Sequence, residues 1–261
     1  MTIRAIFFDI DGTLVPFQSA KWLPSTKLAL ERLREKGILT FVATGRSKYE
    51  IRNEHLLDGL QFDGYLTNNG QDAYDASWSQ IYGKPLDPND VEALLNWSDR
   101  RNSTCWLANA ETTCINRDSE EYRTAMGAIH TNLLPVGDLH EMNKGPVFKL
   151  VLFAPPEEMD EPIRLAPHSR TTQWFSLGHD FVTLDGGKDN AVRALLARYG
   201  IAPEEAMAFG DSENDASMLR AVGLGVAMGN ATPEAREAAR YVTDDAENDG
   251  IYHALKHFDI I

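Results

Sequence analysis

The chain has 261 residues, 43% hydrophobic and 25% charged, enough apolar side chain for one large domain or two smaller ones. Its formal charge of −14, from 25 basic against 39 acidic residues, excludes a general nucleic-acid surface, which would need a basic face. An anionic ligand stays open, since a local cluster of cations can outweigh the global sign.

The run Ala5-Ile6-Phe7-Phe8 has no polar face and reads as a strand buried on both sides of a parallel sheet. It ends in Asp9-Ile10-Asp11-Gly12-Thr13. Two carboxylates at the end of a buried strand are costly without a cation or donors, so this end reads as a metal or phosphate site. Pro24-Ser25 opens a helix to Lys36, with Ser25 as its N-cap and Gly37 as its stop. A second buried strand, 38–43, ends in Thr44-Gly45-Arg46. A polar helix over 47–58 leads to a third strand at 65–67, which ends in Asn68-Asn69-Gly70. This βαβαβ alternation implies a doubly wound parallel sheet, an α/β fold. Residues 71–82 read as a small hairpin.

From Lys84 the pattern changes. Helices are expected at 88–101, 118–130 and 137–142, and within 155–167; strands are expected at 104–109, 112–116, 147–153, 170–177 and 180–184. This α+β block reads as a second domain inserted into the first, so that 1–83 and 184–261 form the core and 84–183 the insertion. Trp106, His130, Trp174 and His179 are its candidate pocket residues, although such side chains more often serve a core. The doubly wound pattern then resumes with a helix from Lys188 to Gly200. A short strand at 206–209 closes with Gly210-Asp211-Ser212-Glu213-Asn214-Asp215. A helix at 215–222, a strand at 224–228, a helix at 233–239, an edge strand at 241–243 and a helix at 249–258 complete the chain.

Winding outward through three strands and returning on the other side of the first gives the order 3-2-1-4-5-6. In an open α/β sheet ligands bind beyond the strand ends at the reversal, here between strands one and four. Asp9/Asp11, Asp211/Asp215 and Thr44-Gly45-Arg46 meet there. Oxygen ligands without His or Cys favour Mg²⁺, and a carboxylate can attack phosphorus to give an aspartyl-phosphate. Thr44 offers a hydroxyl, and Lys188 an ammonium at a helix start, to developing phosphoryl charge. Asn214 and Asp215 also read as helix-capping residues, and Arg46 either as a substrate contact or as a partner of nearby acids.

These residues match a family. DIDGT (9–13), Thr44 within ATGR (43–46), Lys188 and GDSEND (210–215) resemble the four motifs of the haloacid dehalogenase (HAD) superfamily. The insertion resembles the cap of its Cof-type branch, and the likeness extends through NNG (68–70), GVAMGNA (225–231) and the terminal HALKHF. The resemblance implies a Rossmann-like core with an inserted cap, and a Mg²⁺-dependent phosphatase of small phosphorylated metabolites, sugar (hexose) phosphates first. It makes Asp9 the nucleophile and Asp11 the general acid and base. Thr44, Gly45, Arg46, Lys188 and Asn214 become the substrate and phosphate contacts; Asp9, Asp11 through its backbone carbonyl, and Asp211 become metal ligands, with Asp215 either a ligand through water or an orienter of Lys188. Many relatives have Lys-Gly where this chain has Lys188-Asp189. A sugar phosphomutase on the same core and a non-catalytic phospho-ligand sensor are the competing readings.

Cys105 and Cys114 have neither Cys-x-x-Cys spacing nor a neighbouring histidine pair, and read as reduced thiols. The N-terminus reads as a strand rather than a signal, and no apolar run reaches the ~20 residues a bilayer requires. A cytoplasmic monomer or weak homo-oligomer with a small-molecule substrate, and with neither a nucleic-acid nor a membrane partner, is expected.

Overall fold

The computed structural model describes residues 2–19, 21–128 and 132–261, with the backbone alone for Ala128, Gln173, Trp174 and Phe175. The first elements are β1 (Ala5–Phe8), α1 (Pro24–Glu35), β2 (Leu39–Ala43), α2 (Lys48–Asn53), β3 (Gly64–Thr67), β4 (Asp72–Asp75) and β5 (Gln80–Gly83). Then come α3 (Pro88–Arg101), β6 (Cys105–Ala108), β7 (Thr113–Ile115), α4 (Glu120–Ala128), α5 (Leu139–Met142), β8 (Lys149–Phe153), α6 (Asp160–Leu165), β9 (Ser169–Phe175) and β10 (Gly178–Thr183). The last are α7 (Lys188–Tyr199), β11 (Ala206–Gly210), α8 (Ala216–Ala221), β12 (Leu224–Ala227), α9 (Pro233–Ala238), β13 (Tyr241–Val242) and α10 (Gly250–His257). Among the described residues no helix is long and apolar enough to cross a membrane.

The chain divides into two units, one made of Met1–Arg46, His55–Tyr82 and Gly187–Ile261, the other of Ser47–Glu54 and Gly83–Gly186. The first holds an eight-stranded sheet in the order β13-β12-β11-β1-β2-β3-β4-β5. β1 runs parallel to both β2 and β11, and β4 turns back antiparallel along β3. The expected order is therefore present as β3-β2-β1-β11-β12-β13, with the hairpin added outside β3. All four residues of β1 are buried. Phe7 stacks on Phe41 at 5.1 Å, and Phe8 on Phe209 at 5.3 Å. Ala5 and Phe7 share a core with Val192, Leu195 and Leu196 of α7 and with Met218 and Leu219 of α8. Each aromatic pair contributes about 0.5–1.5 kcal/mol beyond its buried area.

Two local expectations need correction. Ser25 is not the N-cap of α1: that position is Leu23, and Pro24 supplies a preset φ at the first helical residue. The Ser25 hydroxyl instead donates to Asp249 Oδ1 at 2.5 Å, tying α1 to the start of α10. The helix expected over 47–58 spans only Lys48–Asn53. Ser47 and Glu50 close a capping box at its start, and His55 at φ 54° turns the chain just beyond it.

Helix α2 also groups with the second unit rather than with the strands that flank it in sequence. Glu50 pairs with Lys149 of β8 at 3.5 Å, with side chains 5% and 9% exposed, and Lys48 pairs with Glu111 at 3.1 Å. The Lys149 ammonium sits 3.8 Å from the centre of the Trp106 ring, a cation–π contact.

The second unit is built on an antiparallel sheet in the order β7-β6-β8-β10-β9. Leu107, Leu150, Leu152 and Phe181 pack with Val91, Leu94 and Leu95 of α3. Trp106, Val151 and Phe153 pack with Tyr122 and Met126 of α4. Trp106 is thus a core residue whose Nε1–H donates to Thr113 Oγ1 at 2.6 Å. His179 is buried, with Nε2 3.1 Å from the Ala154 carbonyl oxygen, and burial lowers its pKa. His130 and the side chain of Trp174 lie outside the described residues. Cys105 is buried, Cys114 is half-buried, and both are free; burial pushes the Cys105 thiol up.

One surface cluster in this unit gives a pH-dependent stability. His140 of α5 has Nδ1 3.1 Å from Glu92 and Nε2 3.1 Å from Asp99, both on α3. The hydrogen bond to Asp99, working against burial and joined by Glu92, raises the His140 pKa above the ordinary 6.5. Burial alone would raise Asp99, but His140, Arg117 and Asn116 outweigh it and lower its pKa. A histidine with a raised folded pKa stabilises fully below its unfolded value and stops doing so as pH rises through the folded value. On the acid side, the contribution of Asp99 is lost as pH falls from 3.8 through its own lowered value. His140→Gln is therefore expected to lower Tm most just below pH 6.5, with the gap from the parent closing as pH rises. Thermal melts of both proteins across pH check this, and a gap constant with pH would contradict it.

Candidate active site

The site forms at the carboxyl end of the first unit's sheet. β1 runs straight into Asp9, whose backbone N–H donates to Phe209 of β11 at 3.0 Å, so the adjacent strand fixes the direction of its side chain. The chain then coils tightly: Leu14 donates to the Asp9 carbonyl, Val15 to Ile10, and Gly12 to Val15 at 2.8 Å. Gly12 has φ +80°, which glycine adopts without steric cost.

Lys188, the first residue of α7, reaches both acidic strand ends. Its ammonium is 2.7 Å from Asp9 Oδ1 and 2.6 Å from Asp215 Oδ1, with the lysine side chain 0% exposed. Burial alone would lower its pKa, but Asp215 and Asp9 outweigh it, so the net shift is upward and the lysine stays charged. Asp9 moves the other way. Burial and the neighbouring charges of Asp215, Asp211 and Asp11 raise its pKa well above the ordinary 3.8, against the pull of Lys188. Asp211 is raised to about 7, by burial and then by Asp215, with Thr13 among the groups opposing the shift.

Asp215 uses both of its oxygens. Oδ1 accepts from Lys188, and Oδ2 accepts the backbone N–H groups of Asp211 and Ser212, each at 3.0 Å. Its carboxylate folds back over the end of β11, which requires Gly210: a Cβ there would lie 2.5 Å from Asp215 Cβ. Asp215 therefore orients Lys188 and caps the turn. Asp211 accepts from Thr13 Oγ1 at 3.0 Å and from Ser212 Oγ at 3.2 Å. Asp9, Asp211 and Asp215 place one carboxylate oxygen each within 4.8 Å of one another. Asp9 Oδ2 and the backbone carbonyl oxygen of Asp11 accept no hydrogen bond from the described residues. Crowded buried carboxylates with oxygens to spare, and no His or Cys grouped with them among the described residues, fit a hard divalent cation of the Mg²⁺ type.

Thr44 is buried at the end of β2. Its Oγ1 accepts the backbone N–H of Arg46 at 3.1 Å, leaving the hydroxyl proton to be donated. Gly45 follows it, half-buried. Arg46, read either as a substrate contact or as a partner of nearby acids, grips Asp11: Nε and Nη2 each donate at 2.8 Å to a different carboxylate oxygen, a bidentate pair. The alternative reading of Arg46, as a partner of a nearby acid, is what its geometry shows. Asn214 donates to the side-chain oxygen of Asn69 at 3.0 Å, linking the ends of β11 and β3. Asp189 sits in the first turn of α7 with Arg193 at 2.6 Å, so the departure from Lys-Gly leaves the Lys188 contacts in place.

Sequence reasoning missed one residue. Asn230 donates to the Gly12 carbonyl oxygen at 2.9 Å and accepts from the Ala246 backbone N–H, also at 2.9 Å, bracing the Asp11 loop from the β12 side. Its signal was a polar residue just past a buried strand, within GVAMGNA.

A doubly wound sheet carrying a buried lysine between two strand-end acids, with a third acid gripped by arginine, defines a phosphoryl-transfer class of enzyme. Comparison with known proteins makes the assignment specific: the model for haloacid dehalogenase-like hydrolases matches residues 6–255, and the chain belongs to that family. The Bacillus subtilis (strain 168) protein YkrA, by its name a candidate phosphatase, is 30% identical over the whole of both chains. BT1666 of Bacteroides thetaiotaomicron, described as a phosphatase of the HAD superfamily, superposes with a TM-score of 0.90 at 29% identity, covering 100% of this chain and 96% of the other. The HAD subclass IIB sugar phosphatase BT4131 gives 0.85 at 32% identity, covering 99% and 100%. The chain is thus a HAD-family phosphatase, a hydrolase of small phosphorylated substrates.

Proposed function

We propose that this phosphatase is Mg²⁺-dependent and hydrolyses phosphate monoesters of small metabolites, hexose phosphates first, through an aspartyl-phosphate on Asp9. The observation that carries the reading is the divided state of Asp9: one oxygen is fixed by the buried Lys188 ammonium, and the other accepts no hydrogen bond from the described residues. A nucleophile needs one such oriented, uncommitted oxygen.

Asp9 Oδ2 attacks phosphorus, the bond from phosphorus to the ester oxygen breaks, and Asp11 gives its proton to the departing alcohol. Water then attacks the same phosphorus, Asp11 takes the proton of that water, and the bond to Asp9 breaks to release phosphate. Lys188 and the Thr44 hydroxyl donate to the phosphoryl oxygens, while Asp215 holds Lys188 in place. Both Asp11 oxygens accept from Arg46, so proton transfer to the alcohol requires one of those hydrogen bonds to open. Asp9, the Asp11 carbonyl and Asp211 would hold the Mg²⁺ directly, and Asp215 through water. The ion supplies positive charge against the carboxylates and the transferring phosphoryl group.

The likeness to a protein described as a sugar phosphatase supports the substrate class. A Bacillus subtilis relative named 5-amino-6-(5-phospho-D-ribitylamino)uracil phosphatase YcsE, 26% identical over 98% of this chain, marks the alternative that a screen must include. Phosphate release is expected from glucose 6-phosphate or mannose 6-phosphate with Mg²⁺, and EDTA is expected to stop it. Restoring the ion at about a hundred times its Kd is expected to add about 2.7 kcal/mol of stability, read as a rise in Tm. Activity indifferent to EDTA would defeat the metal assignment, and a sugar isomer formed without free phosphate would point to a phosphomutase.

A further inference from the structure

Phe17 stands apart from the other aromatic side chains of the first unit. Phe7, Phe8, Phe41 and Phe209 are 0–1% exposed, whereas Phe17 is 64% exposed. A large apolar ring facing water gains nothing for the fold, so its placement calls for another account. Its backbone is held: Ser19 N–H donates to the Pro16 carbonyl at 3.0 Å, so Phe17 occupies a turn, and the Ser19 hydroxyl continues to the Lys21 carbonyl at 2.8 Å. The other end of the loop is the tight coil from Asp9 to Val15 described above.

The ring is also aimed. A Cβ placed on Gly12 would lie 2.5 Å from Phe17 Cε2 and 2.7 Å from its Cζ, and the same point is 2.4 Å from Asp211 Oδ2. The far edge of the ring and one carboxylate of the acidic cluster thus converge on the backbone between Asp11 and Thr13. That ring edge borders the glycine that follows the residue assigned to protonate the departing alcohol, and Asp211 of the cluster assigned to the cation. Gly12 leaves the space into which the ring fits, and Asn230, just past β12, fixes the Gly12 carbonyl. Singly exposed apolar residues are common on protein surfaces. What separates Phe17 is this contact with the reacting loop.

We infer that Phe17 is a specificity-determining residue whose exposed ring stacks on an apolar face of the leaving group. That face is the C–H side of a sugar ring or the plane of an aromatic alcohol. The inference rests on the phosphatase reading. A leaving group too small to have such a face gains nothing from the ring, so substrates divide by the shape of what departs rather than by the phosphoryl group they share.

The test compares the parent with Phe17→Ala and Phe17→Trp on glucose 6-phosphate, p-nitrophenyl phosphate and acetyl phosphate. Phe17→Ala is expected to lower kcat/KM on the two ring-bearing substrates on the order of tenfold, mainly through KM, the size expected when one apolar contact in a binding pocket is lost. It is expected to leave acetyl phosphate within about twofold, because that substrate has no ring to stack, and Phe17→Trp is expected to restore the ring-bearing substrates. A loss confined to p-nitrophenyl phosphate would assign the ring to aromatic alcohols, and one confined to glucose 6-phosphate would assign it to sugars. Equal loss on all three substrates, or none on any, would overturn the role of Phe17 while leaving the phosphatase standing. A parent that hydrolyses none of them would bring down both.

Discussion

Asp9→Asn is expected to abolish turnover, by about 10⁴-fold or more in kcat, while leaving the protein at least as stable as the parent in EDTA. The amide keeps the shape of the carboxylate and can still present an oxygen to Lys188, but it cannot attack phosphorus. It also removes one buried negative charge, whose pKa is raised first by burial and then by Asp215, Asp211 and Asp11, against the pull of Lys188. An ionised group whose folded pKa is raised is a cost to folding at neutral pH, and the substitution relieves it. Catalytic groups are commonly held at such a cost. Phosphate-release assays and urea melts on the same preparation test both halves. Retained hydrolysis would sink the aspartyl-phosphate mechanism; a large loss of stability would mean the acid serves the fold.

Lys188→Met should do the opposite to stability. The side chain is 0% exposed and pairs with two buried acids, so its removal leaves uncompensated buried charge. Breaking one buried pair in this way costs about 3–5 kcal/mol. Urea melts in EDTA at neutral pH should show a loss of that size. The loss should shrink as pH falls and the stranded carboxylates take up protons. Adding Asp215→Asn should recover part of it, because the two changes remove partners of one another and do not add. Turnover should fall by about 10³-fold, since the ammonium both orients the nucleophile and meets developing phosphoryl charge. Stability within about 0.5 kcal/mol of the parent, the range of an ordinary surface substitution, would refute the buried bridge.

Arg46 shows how a residue can be found by its sequence while its partner stays open. Its position beside Thr44 brought it into the site, but the choice between phosphate and carboxylate depended on where Asp11 points. The Asp9–Val15 coil turns the Asp11 carboxylate toward the end of β2, where the guanidinium meets it in register. Asp215 is similar. The sequence left it either a metal ligand through water or an orienter of Lys188, with helix capping compatible with both. Only the tertiary structure shows Lys188 on one of its oxygens and two backbone N–H groups on the other.

The sequence by itself determined the α/β class, the inserted α+β block, the strand order and the three loops that build the site. Those features are local in origin. A strand buried on both faces must be apolar throughout, a polar cluster must follow where it ends, and the reversal of winding brings such ends together. Tertiary structure alone decided which charge meets which. Lys188 and Asp9 are separated by 179 positions, Lys149 and Glu50 by 99, and Arg46 and Asp11 by 35. No periodicity carries information across such gaps. Helix α2 belongs to the second unit for the same reason: Glu50 and Lys48 find their countercharges there, on Lys149 and Glu111. Hydrophobic pattern specifies faces, whereas the partner of a buried charge is set by the geometry that excludes water from it.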